Sequence, residues 1–330
     1  MQSLSTKKLN SQKHYEFLLD LYSNKETVNS LLSYPIKMSG LFWGIGSMKL
    51  LFNNLQSEDR NQIKKLETRI FEFVESCKVF VDGDVTMVGY SQNKGLNANI
   101  VSTHYALLIL IMIGKLDQAD SAKISKWISS LQNKDGSFRC DQYLETDCRF
   151  SYCALSSLTI LNRINEIDII GARSYLLRCY NSDGAFGGVP CSESHAAYTY
   201  CCVVSLALLN SLDIINIDRL AFWLCERQLL CGGFNGRPEK APDVCYSWWI
   251  FSLLYFLGRA NYIDKNLLEE YIFCSEDISK GGFSDRPGNV SDVFHTFFGI
   301  SALSLIRFDA IDNIISPIFA VPLNLVPGDS

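Results

Sequence analysis

The chain has 330 residues, 48% of them hydrophobic and 20% charged, which is enough apolar material for a sizeable globular core. Thirty basic residues against 35 acidic ones leave a net charge of −5, and the absence of any basic block argues against nucleic-acid binding. The longest apolar stretches, such as Tyr105 to Ile113, are too short to cross a bilayer, so the protein is not expected to be an integral membrane protein. Met1 to Lys13 is polar and mixed, with no apolar targeting segment. Most of the twelve cysteines, among them Cys153, Cys201, Cys202 and Cys225, sit inside apolar runs, where a reduced cysteine is a small hydrophobe. A reducing cytoplasm is the expected setting.

In chain order, residues 1–30 read as an N-terminal extension. Two less regular helix pairs follow: Ser39 to Leu55 with Asp59 to Cys77, and Asn99 to Ile113 with Lys123 to Asn133. A repeat then becomes visible. The turns Lys134-Asp135-Gly136-Ser137-Phe138, Ser182-Asp183-Gly184-Ala185-Phe186, Cys231-Gly232-Gly233-Phe234 and Lys280-Gly281-Gly282-Phe283 look alike, and their phenylalanines are 48, 48 and 49 residues apart. Each turn follows an amphipathic stretch and precedes a more apolar one. Lys123 to Asn133, Gly171 to Tyr180, Asp218 to Leu229 and Asn266 to Cys274 read as outer helices. Arg149 to Leu161, His195 to Leu209, Val244 to Leu257 and Val293 to Ile306 read as inner, more buried ones. Such a stack of helical hairpins is all-α, and it either stays open as a solenoid or closes on itself. The strongly apolar inner helices favour closure into an α/α barrel with a central cavity. One domain then covers the chain, with barrel repeats over 39–306 and a C-terminal tail over 307–330.

The position nine residues after each turn phenylalanine holds Asp147, His195, Asp243 and Asp292. Each stands at the start of an inner helix, and in a closed barrel these starts converge on one mouth, where free N–H groups and helix dipoles favour anions. Capping explains Asp147 well but His195 poorly. Asp243 and Cys245, joined one repeat later by His295, offer a carboxylate, a thiolate and an imidazole, a donor set suited to zinc with one position left open. A cap, a core cysteine and a buried histidine are the bland alternative, and the repeat phase speaks against it. Arg237 and Lys240 lie in the loop entering this helix, with Tyr246 directly after it; together with His195 these donors suit a diphosphate. Trp248, Trp249, Tyr200 and Phe297 fall on inner helices, either as core or as the lining of an apolar tunnel.

The runs Asp147-Cys148-Arg149-Phe150-Ser151-Tyr152, Glu193-Ser194-His195-Ala196, Gly233-Phe234-Asn235-Gly236-Arg237-Pro238-Glu239-Lys240, Pro242-Asp243-Val244-Cys245-Tyr246-Ser247-Trp248-Trp249 and Phe294-His295-Thr296 resemble protein prenyltransferase β-subunits. They are most similar to those of the type II, Rab-directed geranylgeranyltransferases. The resemblance runs from about Ser39 to Pro322 and is strongest from Thr146 onward. It implies zinc at Asp243, Cys245 and His295, and a diphosphate held by His195, Arg237, Lys240 and Tyr246. Arg149, Tyr152, Ala196, Ala197, Tyr200, Ser247, Trp248 and Trp249 are the implied neighbours of the substrate, and Asp285 an implied magnesium carboxylate. Ser39 stands where farnesyl enzymes carry a bulky aromatic, which implies room for a C20 chain. The segment from Cys77 to Leu96 departs from the family pattern: Lys78-Val79-Phe80-Val81-Asp82-Gly83-Asp84 replaces the usual Gly-Gly turn.

The implied activity is transfer of a geranylgeranyl group from geranylgeranyl diphosphate to the C-terminal cysteines of a Rab GTPase. The implied partners are a separate prenyltransferase α-subunit and a Rab escort protein that presents the substrate. Three other readings compete. A farnesyl- or type I enzyme would act on CaaX proteins. A terpene cyclase shares the barrel plan, and Glu145-Thr146-Asp147-Cys148 faintly resembles its acidic motif, but such a cyclase has no use for a zinc set. A non-enzymatic helical scaffold would bind neither metal nor lipid diphosphate.

Overall fold

The computed structural model describes residues 9–21, 34–306, 311 and 313–326. The helices are α1 (Ser11–Leu21), α2 (Lys37–Leu51), α3 (Ser57–Ser76), α4 (Ile100–Met112), α5 (Ser121–Ser130) and α6 (Cys148–Ile160). There follow α7 (Ile169–Arg178), α8 (Ala196–Leu208), α9 (Ile217–Cys225), α10 (Cys245–Phe256), α11 (Lys265–Cys274) and α12 (Val293–Ile306). A short antiparallel pair, β1 (Lys78–Phe80) and β2 (Val88–Tyr90), lies between α3 and α4.

The even-numbered helices pack side by side in sequence, and α12 returns to pack on α2, so the ring closes. The odd-numbered helices lie outside; α1, α5, α7, α9 and α11 each pack against the inner helix that follows, and α3 packs against α2, which precedes it. Sequence explains the division. The outer helix α3 buries only Ile63, Leu66, Ile70 and Val74, one stripe at helical spacing. The inner helix α4 is apolar all round and buries residues on every face. Asp120, Asp168, Asn216 and Asp264, at intervals of 48 residues, cap the outer helices α5, α7, α9 and α11. Gly114, Asn162, Asn210 and Gly258, at the same interval, leave the inner helices in the left-handed conformation that glycine and asparagine adopt at C-termini. Several outer helices end earlier than expected, because Gln132, Tyr180 and Gln228 pair instead with the turn residues Phe138, Phe186 and Phe234.

Two N-terminal expectations are corrected. Residues 11–21 are not an extension but the outer helix of the first hairpin, packed on α2; residues 1–8 and 22–30 of that extension lie outside those described. His14 carries the seam. Its Nδ1 accepts the Gly282 N–H at 2.9 Å, its Nε2 lies 3.0 Å from Glu276 Oε1, and its ring stacks on Phe283 at 4.8 Å. The unusual segment after Cys77 also keeps the repeat. Tyr90, 48 residues before Phe138, takes the place of the turn phenylalanine, and Asn99, nine residues on, caps α4 through the Ser102 N–H at 2.8 Å.

The C-terminal residues form a hairpin rather than a loose tail. Ile315 pairs with Pro322, and the Ser316 N–H donates to the Val321 carbonyl at 2.8 Å. Its base sits at the C-terminal end of the inner helices, where Asn313 Nδ2 donates to the Lys49 carbonyl at 2.9 Å and the Ile315 N–H to Ser304 Oγ at 3.3 Å.

Because His14 is wholly buried and satisfies both sides of the seam, His14→Ala leaves the Gly282 N–H and Glu276 without partners. The expected cost is about 2–3 kcal/mol. Chemical denaturation of the purified protein measures it, and a loss below about 0.5 kcal/mol contradicts the seam role.

Candidate functional site

The mouth formed by the inner-helix N-termini has one repeated geometry. Asp147 Oδ1 accepts the Arg149 N–H at 2.8 Å, His195 Nδ1 the Ala197 N–H at 3.2 Å, Asp243 Oδ1 the Cys245 N–H at 2.8 Å, and Asp292 Oδ1 the His295 N–H at 2.9 Å. His195 is therefore a cap after all, contrary to expectation. An imidazole nitrogen presents one in-plane lone pair, which suffices to accept a helix-start N–H. The consequence is chemical. With Nδ1 accepting, the proton sits on Nε2, and Nε2 lies 3.3 Å from the Tyr246 hydroxyl. Burial lowers the His195 pKa and the Arg237 cation lowers it further, against Glu193, so the ring is neutral.

Asp243, Cys245 and His295 converge, with ligand atoms all within 4.8 Å of one another. Three ligands of a tetrahedral zinc stand roughly 3.5 Å apart, so small side-chain adjustments make the set fit. His295 Nε2 lies 3.3 Å from Asp243 Oδ1, while Nδ1 is held by Asp292 Oδ2 at 2.6 Å. Asp292 thus orients the imidazole from behind, as carboxylates do for metal-binding histidines. The cluster is rich in negative charge. Burial lowers the His295 pKa, but Asp243 and Asp292 outweigh it and push the imidazole up to about 9. Burial and Asp243 together push the Cys245 thiol well above its ordinary value. A cation relieves both strains.

The diphosphate candidates surround this cluster. Gly236 lets the Tyr246 ring pass close by; a Cβ there would stand 2.3 Å from the ring. Burial, with Cys245 and Asp243, pushes the Tyr246 hydroxyl up to about 12, so it remains a donor. Arg237 forms an ion pair with Glu193, and Arg149 is held by Asp147, with Nε at 2.9 Å and Nη2 at 2.5 Å. Lys240 is exposed on the same loop. Asp285 accepts from Arg286 Nε and Asn289 Nδ2, each at 2.8 Å, and joins no three-ligand cluster among the described residues.

Below the mouth, aromatic rings form a closed circuit contributed by all six inner helices. Trp43 meets Tyr105 at 6.1 Å, His104 beside it meets Tyr152 at 5.3 Å, and Tyr152 meets Tyr200 at 5.6 Å. Trp249 meets Tyr200 at 5.0 Å and Phe298 at 4.7 Å, and Phe294 returns to Trp43 at 4.9 Å. Ala197 and Trp249 are partly exposed, whereas Ala196, Ser247, Trp248 and Phe297 are buried in the wall. Ser39 is buried too, its hydroxyl 2.9 Å from Gln92 Nε2. Sequence reasoning left out Trp43, Tyr105, Phe294, Phe298, Glu193 and the orienting role of Asp292. The signal for the last was its place nine residues after Phe283.

The prenyltransferase alpha-alpha toroid domain matches residues 9–321. The "Geranylgeranyl transferase type-2 subunit beta" of Saccharomyces cerevisiae is 37% identical over 317 residues, covering 94% of this chain and 93% of the yeast protein. The protein of the same name from Candida albicans is 36% identical over 282 residues, 81% of this chain and 79% of its own. Among solved structures, "Candida albicans protein geranylgeranyltransferase-I complexed with GGPP" superposes with a TM-score of 0.82 at 22% identity, covering 97% of each chain, which shows a shared fold. A type II terpene cyclase from Scytonema superposes with a TM-score of 0.55 at 13% identity, covering 90% of this chain and 99% of its own.

His195 is expected to titrate below the ordinary histidine value of 6.5. Removing the nearby cation in Arg237→Gln should move that titration upward. Histidine ring NMR across pH checks both, and an Arg237→Gln titration that falls or stays fixed refutes the electrostatic account.

Proposed function

The chain belongs to the prenyltransferase alpha-alpha toroid family and is a prenyltransferase; we propose that it is the catalytic β-subunit of a zinc-dependent type II protein geranylgeranyltransferase. In this reading it pairs with an α-subunit in the cytoplasm and moves a C20 group from geranylgeranyl diphosphate to the C-terminal cysteines of a Rab GTPase brought by an escort protein. The observation that carries the reading is the Asp243–Cys245–His295 set beside a group of anion donors at the mouth of an aromatic-lined ring. The chain spans nearly the whole length of the yeast type II subunit, which supports the assignment of subfamily.

Zinc held by Asp243, Cys245 and His295 would supply the Lewis acidity that lowers the thiol pKa of the acceptor cysteine. Asp292 keeps His295 turned so that Nε2 faces Asp243 and Cys245. The acceptor sulfur forms a bond to C1 of the allylic lipid as the C1–O bond breaks, the thiol proton goes to solvent, and diphosphate leaves with the bonding pair. Negative charge grows on the bridging oxygen. The His195 Nε2–H, the Tyr246 hydroxyl, Arg237 and Lys240 are the donors that meet it, fixed donors of the kind that dominate rate enhancement at such sites. Arg237 and Arg149 arrive already paired with Glu193 and Asp147, so an incoming diphosphate has to win them from these carboxylates. The aromatic circuit holds the isoprenoid and keeps water from the allylic carbon. Ser39 leaves space at the wall, although an aromatic side chain there has to displace Gln92 as well.

The purified heterodimer is expected to hold about one zinc per β chain. Cobalt substitution should produce a thiolate-to-metal absorption band that Cys245→Ser abolishes, and Asp292→Asn should weaken metal binding by about 10–100-fold. A protein that binds neither metal tightly sinks the reading. Arg237→Ala should lower kcat by about 100-fold while leaving zinc content intact. Transfer to a Rab–escort complex but not to a free CaaX peptide separates this reading from the type I and farnesyl alternatives.

A further inference from the structure

Two exposed glutamates share one repeat position at the mouth. Seven residues after the turn phenylalanine stand Glu145 and Glu193, followed in the next two repeats by Ala241 and Val290. Both glutamates reach an arginine. Glu145 lies 3.6 Å from Arg149, which Asp147 already holds, whereas Glu193 pairs with Arg237 across two loops, 44 residues apart. Asp147 has a structural duty as the cap of α6. Glu193 has none: its carboxylate is 58% exposed, and among the described residues its hydrogen-bonding partner is Arg237 alone. An exposed ion pair contributes little stability, so the fold does not require this one.

The chain nevertheless fixes both members. Glu193 is anchored on either side: Asn181 Nδ2 donates to the Ser192 carbonyl and to Ser194 Oγ, each at 2.9 Å, and Ser194 Oγ donates to Asp183 Oδ1 at 2.8 Å. The Gly236 carbonyl accepts the Ala196 N–H at 2.8 Å, and Asn235 Nδ2 donates to the Lys240 carbonyl at 3.1 Å. Arg237 therefore leaves a loop tied to the start of α8. Glu193 stands two residues before His195, and Arg237 directly follows the residue bonded to Ala196. The pair straddles the helix start where His195 Nε2 and the Tyr246 hydroxyl meet.

We propose that Glu193 is a placeholder for the diphosphate: it holds Arg237 at the mouth between turnovers, gives it up to the incoming diphosphate, and takes it back as diphosphate leaves. The inference rests on the lipid-transfer reading above. The guanidinium fork matches a carboxylate and a phosphate alike, so one anion replaces the other with no covalent bond made or broken. Arg237 is thereby held ready rather than extended into solvent. Every diphosphate at this site is also bound more weakly than Arg237 unopposed would bind it, which speeds departure of the product. The repeats that carry Asp243, Cys245 and His295 have Ala241 and Val290 at this position, so no carboxylate of this phase adds to the negative charge there.

The test measures binding of inorganic diphosphate and of geranylgeranyl diphosphate to the heterodimer, by calorimetry, in a double-mutant cycle. Glu193→Gln should lower Kd for both about fivefold, and the rate at which inorganic diphosphate dissociates should fall by a similar factor. In an Arg237→Gln background the same change should shift Kd by less than about twofold. Histidine ring NMR should show the His195 titration moving downward in Glu193→Gln, because the carboxylate that raises it is gone. A titration that does not fall means that the carboxylate is not at the mouth in solution and overturns the placeholder. So does a Glu193→Gln protein that binds diphosphate as wild type does, or more weakly. Equal tightening with and without Arg237 overturns it too, since the carboxylate then acts as a general repulsive charge. All three leave the functional reading standing. A heterodimer that binds both diphosphates but transfers no lipid overturns the functional reading, and the cycle still decides the exchange. Failure to bind either diphosphate overturns both.

Discussion

The whole mouth depends on one hydrogen bond repeated around the ring. The first N–H of a helix has no partner within its own helix. Here the next repeat provides it: Met38 donates to the Gln92 carbonyl, Ile100 to Cys140, Cys148 to Gly188, Ala196 to Gly236 and Val244 to Asp285, all at 2.8–2.9 Å. Each acceptor lies two residues after a turn aromatic, so the inner helices α2, α4, α6, α8 and α10 are each levelled against the turn of a neighbour. A second bond explains the nine-residue spacing. The N–H groups of Asn99, His195, Asp243 and Asp292 donate to the carbonyls of Tyr90, Phe186, Phe234 and Phe283. Residues of one repeat phase thereby arrive at one height, and a ligand set drawn from two repeats can converge.

The electrostatics of the mouth follow from the same arrangement. Helix starts favour acids, and three of the four cap positions from Asp147 to Asp292 hold them. Left to themselves, these acids would repel the proposed diphosphate substrate. Cations and hydrogen bonds neutralise them instead: Arg149 sits on Asp147, and the His295 ring lies between Asp243 and Asp292. The remaining cap is the exception that matters. With histidine at position 195, the cap requirement is met by one ring nitrogen, and the other carries a proton toward Tyr246. In the proposed reading, capping and diphosphate binding are thus served by two atoms of one side chain.

This double service marks how far the sequence was legible. The repeat from Phe138 onward was plain, and with it the all-α ring and the meeting of Asp243, Cys245 and His295, because turn glycines and apolar periodicity are local signals. The repeat at Tyr90 was hidden, since a tyrosine replaced the phenylalanine and a short strand pair preceded it. Helix α1 was hidden because His14, the residue that seats it, gains meaning only from Gly282 and Glu276, more than 260 residues away. His195 was misjudged by residue type, because lists of preferred caps describe frequency rather than lone-pair geometry. The aromatic circuit needed the relative heights of six helices, which depend on the inter-repeat bonds and not on spacing along the chain.

Closing the ring creates a demand that an open stack of helices does not have. A solenoid has ends, whereas a ring has two mouths, and a lipid cavity works with only one of them open. The N-terminal ends of the inner helices, with their free N–H groups and caps, suit polar chemistry; the C-terminal ends present carbonyls and suit donors. The chain uses the difference. Asn313 and the Ile315 N–H, which are donors, bind at the carbonyl-rich end, and the tip carbonyls they carry inward are received by tyrosine hydroxyls. In the proposed reading, polarity of the helix backbone decides which mouth receives the diphosphate and which is stoppered, and the aromatic circuit lies between them because no charge is wanted there.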